Sequence, residues 1–244
     1  GMIGPVFVRP AQNGTLLNGF TKFTYNDGDG STGYDREFAM LLTDFWSEGH
    51  WSGSHVQAPE WSEFHPDFNL INGRAYPDTL APSTAFDVFD HLSEVQPNGD
   101  LPEPAPEFAH LKYQPYSSLV ECNAGENVLL RFANLGFKPA SMTLAGIPMH
   151  VIGKDATILR GRGGADTSYF TNNVLIVAGE GIDAIFTAPA HSGATAFDTY
   201  LLYNRAYLRS GNLSADGIGG QVTEVRVYPS GTLPEQTIPH TLPH

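Results

Sequence analysis

The chain has 244 residues, 41% of them hydrophobic, enough for one large domain or one and a half ordinary ones with a real core. Acidic residues number 26 against 13 basic, a formal charge of −13, which argues against nucleic acid or an anionic membrane surface as a partner. A single cysteine, Cys122, excludes an intrachain disulfide, and no apolar run approaches the ~20 residues needed to span a bilayer.

Residues 1–10 read as a strand, with Ile3, Val6, Phe7 and Val8 ended by Pro10. A similar run occupies 217–229: glycines, β-branched residues, an arginine, then Pro229. One pattern near each end suggests two equivalent strands of tandem domains. Residues 11–33 read as a linker. Within it, 26–33 has no apolar residue and many turn formers, so it reads as a solvated turn. Asp27-x-Asp29-x-Ser31 has calcium-loop letters, but Thr32 stands where the glycine belongs and Phe38 where the closing glutamate belongs.

Residues 35–45 form an apolar strand that opens the complete domain, 34–229. Residues 46–68 are rich in aromatics and carry His50, His55 and His65 without a clear period. Spacings of five and ten do not put these imidazoles on one strand face, so an aromatic surface loop is the reading. Asn72-Gly73 is a hairpin signal. Residues 82–115 are rich in Pro, Asp and Glu, and Pro102, Pro104 and Pro106 give a polyproline character, so this is a surface insertion or lid.

The most regular stretch is 120–155. Two strands, 119–122 and 127–133, flank a turn at 123–126. Val128, Leu130 and Phe132 fall on one face, Leu129 and Arg131 on the other, as for one buried and one wetter face of an antiparallel sandwich. Further strands follow at 172–178, 182–187 and 199–203, then an exit tail at 230–244 rich in Thr and Pro. The fold class is all-β, a Greek-key β-sandwich.

Few residues suggest chemistry. Cys122 reads as a small buried side chain in a strand. His150 reads as a hydrogen-bonded histidine at the core. His191, Ser192 and Asp198 hold the letters of a catalytic triad without its strand–turn–helix frame. Arg160-Gly161-Arg162-Gly163-Gly164 lacks the strand–loop–helix context of a phosphate site and reads as a flexible loop.

Several runs resemble the multicopper oxidase family, laccase-like enzymes built of cupredoxin domains. Gly125-Glu126-Asn127-Val128-Leu129-Leu130-Arg131-Phe132-Ala133-Asn134 matches the family's G-E-x-V-x-L-R-x-x-N strand. Leu42-Thr43-Asp44-Phe45 is similar to a domain-opening strand. The run from Phe68 through Asn72-Gly73 to Tyr76-Pro77 is similar to F-x-I-N-G-x-x-Y-P, and the run from Val177 through Gly179-Glu180 to Asp183-Ala184 to L-x-x-G-E-x-x-D-V. Gly1-Met2 resembles the G-M that precedes the closing strand of a copper-bearing domain, so 1–10 is expected to close a preceding cupredoxin domain. In the family, H-x-H-G supplies copper ligands where this chain has Thr143-Leu144-Ala145-Gly146. An H-C-H cluster falls where it has residues 199–205, without Cys or His.

The resemblance implies a cupredoxin domain whose copper ligands are replaced, with copper in the parent family and no catalytic, cofactor-binding or metal residue in this chain. Its role would be structural, shaping substrate approach beside copper-bearing domains. The parent would couple one-electron substrate oxidation to dioxygen reduction. Neighbouring cupredoxin domains or a homo-oligomer are the implied partners, in an extracytoplasmic setting. A free-standing sandwich that binds through 46–68 and 82–115 is the alternative.

Overall fold

The computed structural model describes residues 4–54, 60–83, 106–111, 114, 116–206 and 219–237. In chain order the strands are β1 (Arg36–Phe45), β2 (Phe68–Ile71), β3 (Val120–Asn123), β4 (Asn127–Asn134), β5 (Ala140–Leu144), β6 (Met149–Lys154), β7 (Thr157–Ile158), β8 (Tyr169–Thr171), β9 (Asn173–Ile176), β10 (Gly181–Thr187), β11 (Asp198–Asn204) and β12 (Val222–Tyr228). One helix, α1 (Ser47–Ser54), and three 3-10 turns accompany them among the described residues. A seven-stranded sheet runs β2-β1-β4-β10-β6-β7, with β8 also on β6, and a five-stranded sheet runs β3-β12-β11-β5-β9. The chain is thus an all-β, cupredoxin-like sandwich.

The core follows from period-two patterning. Phe38, Met40 and Leu42 of β1, Val128, Leu130 and Phe132 of β4, and Ile182, Ala184 and Phe186 of β10 point inward from the larger sheet. They meet Val120, Cys122, Met142, Leu144, Leu202, Val225 and Val227 of the smaller one.

Three details differ from the sequence reading. First, β3 and β4 are not a hairpin: they lie in different sheets, and the 123–126 turn carries the chain from one to the other. Gly125 adopts φ +87° there, and the Glu126 carboxylate accepts the Asn123 N–H at 2.7 Å, so the turn is closed by its own side chain. Second, the sandwich is mixed: β1 runs parallel to β4 and β12 parallel to β3. Third, the second face of β4 is not wet. Leu129 is fully buried and packs with Tyr34, Ile152, Ile185 and Tyr25.

The third difference has a clear cause. Leu129 of β4, Ile152 of β6 and Ile185 of β10 are apolar and point outward, so this part of the sheet needs cover on both faces. Residues 20–34 supply it: Phe23 is fully buried, Tyr34 is nearly so, and the Tyr25 hydroxyl reaches Asp183. Residues 4–10 carry no strand, while Gly1-Met2 and the early part of the 217–229 run lie outside the described residues.

The open edge of β1 is closed by two side-chain amides. Gln236 accepts from Glu37 N–H at 2.8 Å and donates to Glu37 C=O at 3.1 Å. Asn72 accepts from Leu41 N–H at 2.9 Å and donates to Ala39 C=O at 2.8 Å. Each amide stands in for a neighbouring strand along its stretch of this edge.

Asn72 (φ 53°) and Gly73 (φ 78°) make a tight turn, closed by an Ile71–Arg74 bridge. It leads into no second strand, so the expected hairpin is a turn only. Arg74 next to it is 1% exposed and donates to the carbonyls of Gln114, Asp78, Ala81 and Pro82. It thereby ties together both ends of the 82–115 insertion, whose residues 84–105, 112, 113 and 115, with Pro102 and Pro104, lie outside the described residues. Burial pulls its guanidinium down to about 10. Arg74→Ala is expected to lower unfolding free energy by roughly 3–5 kcal/mol in denaturant titration, because it orphans several carbonyls at once. A loss under about 1 kcal/mol would show that the insertion does not depend on it.

Candidate functional site

The positions where the resemblance places copper ligands are taken up by the sandwich itself. Thr143 of β5 donates to Asn173 Oδ1 at 2.7 Å, and Ser141 donates to the same oxygen at 2.8 Å. Leu144 is fully buried in the core. Gly146 turns the chain at φ +79°. On β11, Leu202 is a core residue, and buried Asn204 donates to Gln221 at 2.8 Å while accepting from Ser141 N–H at 3.1 Å. These side chains are hydrocarbon or weak oxygen donors already committed to neighbours.

A copper centre of the implied kind needs imidazoles and a thiolate. Cys122 has no exposed surface, its Sγ lies 3.8 Å from Arg226 C=O, and burial pushes its thiol up to about 12. No three His, Cys, Asp or Glu side chains come together as a metal site among the described residues. The donor set at these positions does not fit copper.

The histidines are spread out. His50 stacks on Phe45 at 4.6 Å, while His55 lies outside the described residues. His150 on β6 lies 2.7 Å from Ser168 Oγ and stacks on Phe170 at 4.4 Å, and burial pulls its imidazole down. At 191–198 no triad assembles. Ser192 gives both its N–H (2.6 Å) and its hydroxyl (2.5 Å) to Asp198, while His191 Nδ1 accepts from Gly193 N–H at 3.0 Å.

The calcium-like and phosphate-like loops turn out to be two halves of one latch. Arg160 donates to Asp29 at 2.6 Å, Ser31 at 2.8 Å and the Asp27 carbonyl at 3.1 Å. The Asp27 carboxylate accepts from Gly30 N–H, Thr32 N–H, the Thr32 hydroxyl and Gln12. These N–H and O–H donors take up the lone pairs that a calcium ion would need.

The densest group of charges lies on the outer face of the seven-stranded sheet. Arg131 of β4 reaches Glu37 of β1 at 3.1 Å and Asp183 of β10 at 3.4 Å. Arg9 pairs with Glu37 at 2.7 Å, and Tyr25 donates to Asp183 at 2.6 Å. The side chains of Glu37, Arg131 and Asp183 are 2%, 11% and 15% exposed, too little for water to satisfy them. Burial raises Asp183 above the usual carboxylate range, and the pull of Arg131 offsets this only in part. Burial also works against the Arg131 guanidinium, but Asp183 and Glu37 outweigh it and hold it high.

Over this network the Phe7 ring faces the guanidiniums of Arg9 at 5.6 Å and Arg131 at 5.3 Å. Between residues 5–10 and the sheet lies a groove of about 460 Å³, floored by Ala39, Leu41 and Ala133. Sequence reasoning missed this group because Tyr25 and Phe7 are far from it in the chain. The available signal was a charged residue in the middle of β4 and of β10, Arg131 and Asp183, and Glu37 near the start of β1.

Two packed sheets with parallel β1–β4 and β3–β12 pairs define a cupredoxin-type domain. Its fold is that of the blue copper oxidase from Nitrosomonas europaea, with a TM-score of 0.51 at 14% identity over 79% of this chain and 43% of the other. The laccase from Botrytis aclada aligns at 19% identity over 88% of this chain and 32% of the other, with a TM-score of 0.46. The chain therefore spans less than half the length of these oxidases. No family model and no curated protein matches it.

The network gives a pH signature. Asp183 binds its proton more tightly when folded, so its contribution is full below the unfolded value of 3.8 and is lost as pH rises through the raised folded value. Asp183→Asn removes that term. The stability deficit of this variant relative to the parent is expected to shrink as the pH is raised from about 4 to about 7. A deficit that grows over the same range would mean that Asp183 is stabilised as the anion.

Proposed function

We propose that the chain is a copper-free cupredoxin domain of a multicopper oxidase-like protein, with a structural role beside copper-bearing domains. The observation that supports this reading is that β3, β4 and β5 stand in the sandwich while Thr143, Leu144 and Ala145 stand where the resemblance puts the family's H-x-H. In the proposed parent, other domains take single electrons from a reductant and pass them to dioxygen. This one packs against them and shapes the approach to their sites. Residues 1–10 then close a preceding cupredoxin domain, 11–33 connect, 34–229 form this domain and 230–244 lead onward.

Neighbouring domains or further copies of the chain are the partners. The setting is extracytoplasmic, as in the family; no helix among the described residues is long and apolar enough to cross a membrane. One observation favours a binding module instead. Trp61 and Phe137, 56% and 63% exposed, stand on an aromatic cluster with Trp46 and Phe64. Exposed aromatics of this kind mark contact surfaces.

Copper reconstitution tests the reading. After Cu(II) loading and desalting, metal analysis is expected to find well under about 0.1 copper per chain and no blue thiolate charge-transfer band. About one tightly held copper per chain with that band would overturn it.

A further inference from the structure

We propose that the groove between residues 5–10 and the outer face of the seven-stranded sheet is a binding site for a small, uncharged, planar aromatic molecule carrying an N–H or O–H donor. The inference is independent of whether the domain belongs to an oxidase.

Size and floor come first. At about 460 Å³ the groove falls within the range of small-molecule sites. Elsewhere on this face large side chains are buried under residues 20–34, as Leu129 and Ile185 show. At Ala39 and Ala133 the side chains are short, so the sheet surface is recessed and flat. Such a floor suits a ring better than a branched chain.

The walls select for an aromatic. Guanidiniums favour the faces of aromatic rings. Arg131 and Arg9 already hold one such ring, Phe7. A ligand ring in the groove lies beside these same two guanidiniums, which line it.

Asp183 selects for the donor. Its carboxylate lines the groove and has two partners, Tyr25 at 2.6 Å and Arg131 at 3.4 Å, the second a long contact. An ionised carboxylate has room for about four donors, so acceptor capacity is left over. The charges here are already paired with one another: Arg9 and Arg131 with Glu37, and Arg131 with Asp183. A net charge on the ligand would be buried without a counter-ion.

Access is provided by the roof. Val6, Phe7 and Val8 make no backbone hydrogen bond, and Val6 and Val8 are 92% and 90% exposed. Among the described residues no strand ladder ties 6–8 to the sheet, so the strap can lift without breaking one.

Indole and 1-methylindole are the probes, because they differ chiefly in the N–H. In a methyl NMR titration of the full chain labelled at alanine, indole is expected to shift Ala39 and Ala133 saturably, with a Kd of about one millimolar. Losing one hydrogen bond should weaken 1-methylindole about fivefold or more. Ala133→Leu fills the groove from the sheet and is expected to abolish the saturable shift at Ala39. Should that variant fail to fold, intermolecular NOEs between indole and Ala39 in the unsubstituted chain decide the matter. No saturable shift, equal affinity for the two indoles, unchanged binding in folded Ala133→Leu, or absent NOEs would each overturn the proposal.

Discussion

Arg131 between Glu37 and Asp183 is the contact on which the outer half of the molecule depends. Its three residues sit on three adjacent strands, with Arg131 opposite Asp183 in the β4–β10 register and opposite Ala39 in the β4–β1 register. A slip of one residue in any of these strands would send a charge into the hydrophobic core. Removing a single partner from such a buried pair costs about 3–5 kcal/mol, because the charge left behind has no water to turn to. The network therefore fixes register as much as it adds stability. It also explains the cover above it: Tyr25 and Arg9 reach down to it from the strap and the 20–34 segment.

The frame and the ligand set of this fold are physically separable. In the G-E-x-V-x-L-R-x-x-N run, Gly125 supplies the positive φ that carries the chain between sheets. Glu126 caps that turn and pairs with Arg36 at 2.6 Å. Arg131 holds the outer network. Asn134 donates to the carbonyls of Lys138 and Ile176 at 2.9 Å each, closing the next turn. None of these jobs involves a metal. Thr143 is buried and spends its hydroxyl on Asn173, while Leu144 is packed in the core.

Much of the strand content was legible: β4 and β10 from period-two alternation, and β1, β9, β11 and β12 from short apolar or β-branched runs. What alternation does not show is the partner of a strand. Strands 119–122 and 127–133 read as flanking one turn, yet that turn, capped by Glu126, carries the chain from one sheet to the other. Residues 11–33 read as a linker because turn formers dominate them, although Phe23 and Tyr25 were visible as apolar anchors among the glycines. The charges of the outer face were legible singly, but their meeting depends on a parallel β1–β4 pairing that no local pattern encodes.

The central claim is that the sandwich keeps its frame while the residues at the ligand positions are spent on hydrogen bonds and packing. Anomalous scattering at the copper edge, from crystals soaked in Cu(II), tests it most directly. The account predicts no anomalous peak within bonding distance of Thr143, Cys122 or Tyr203. A strong peak inside the sandwich, bound by side chains of this chain, would contradict it.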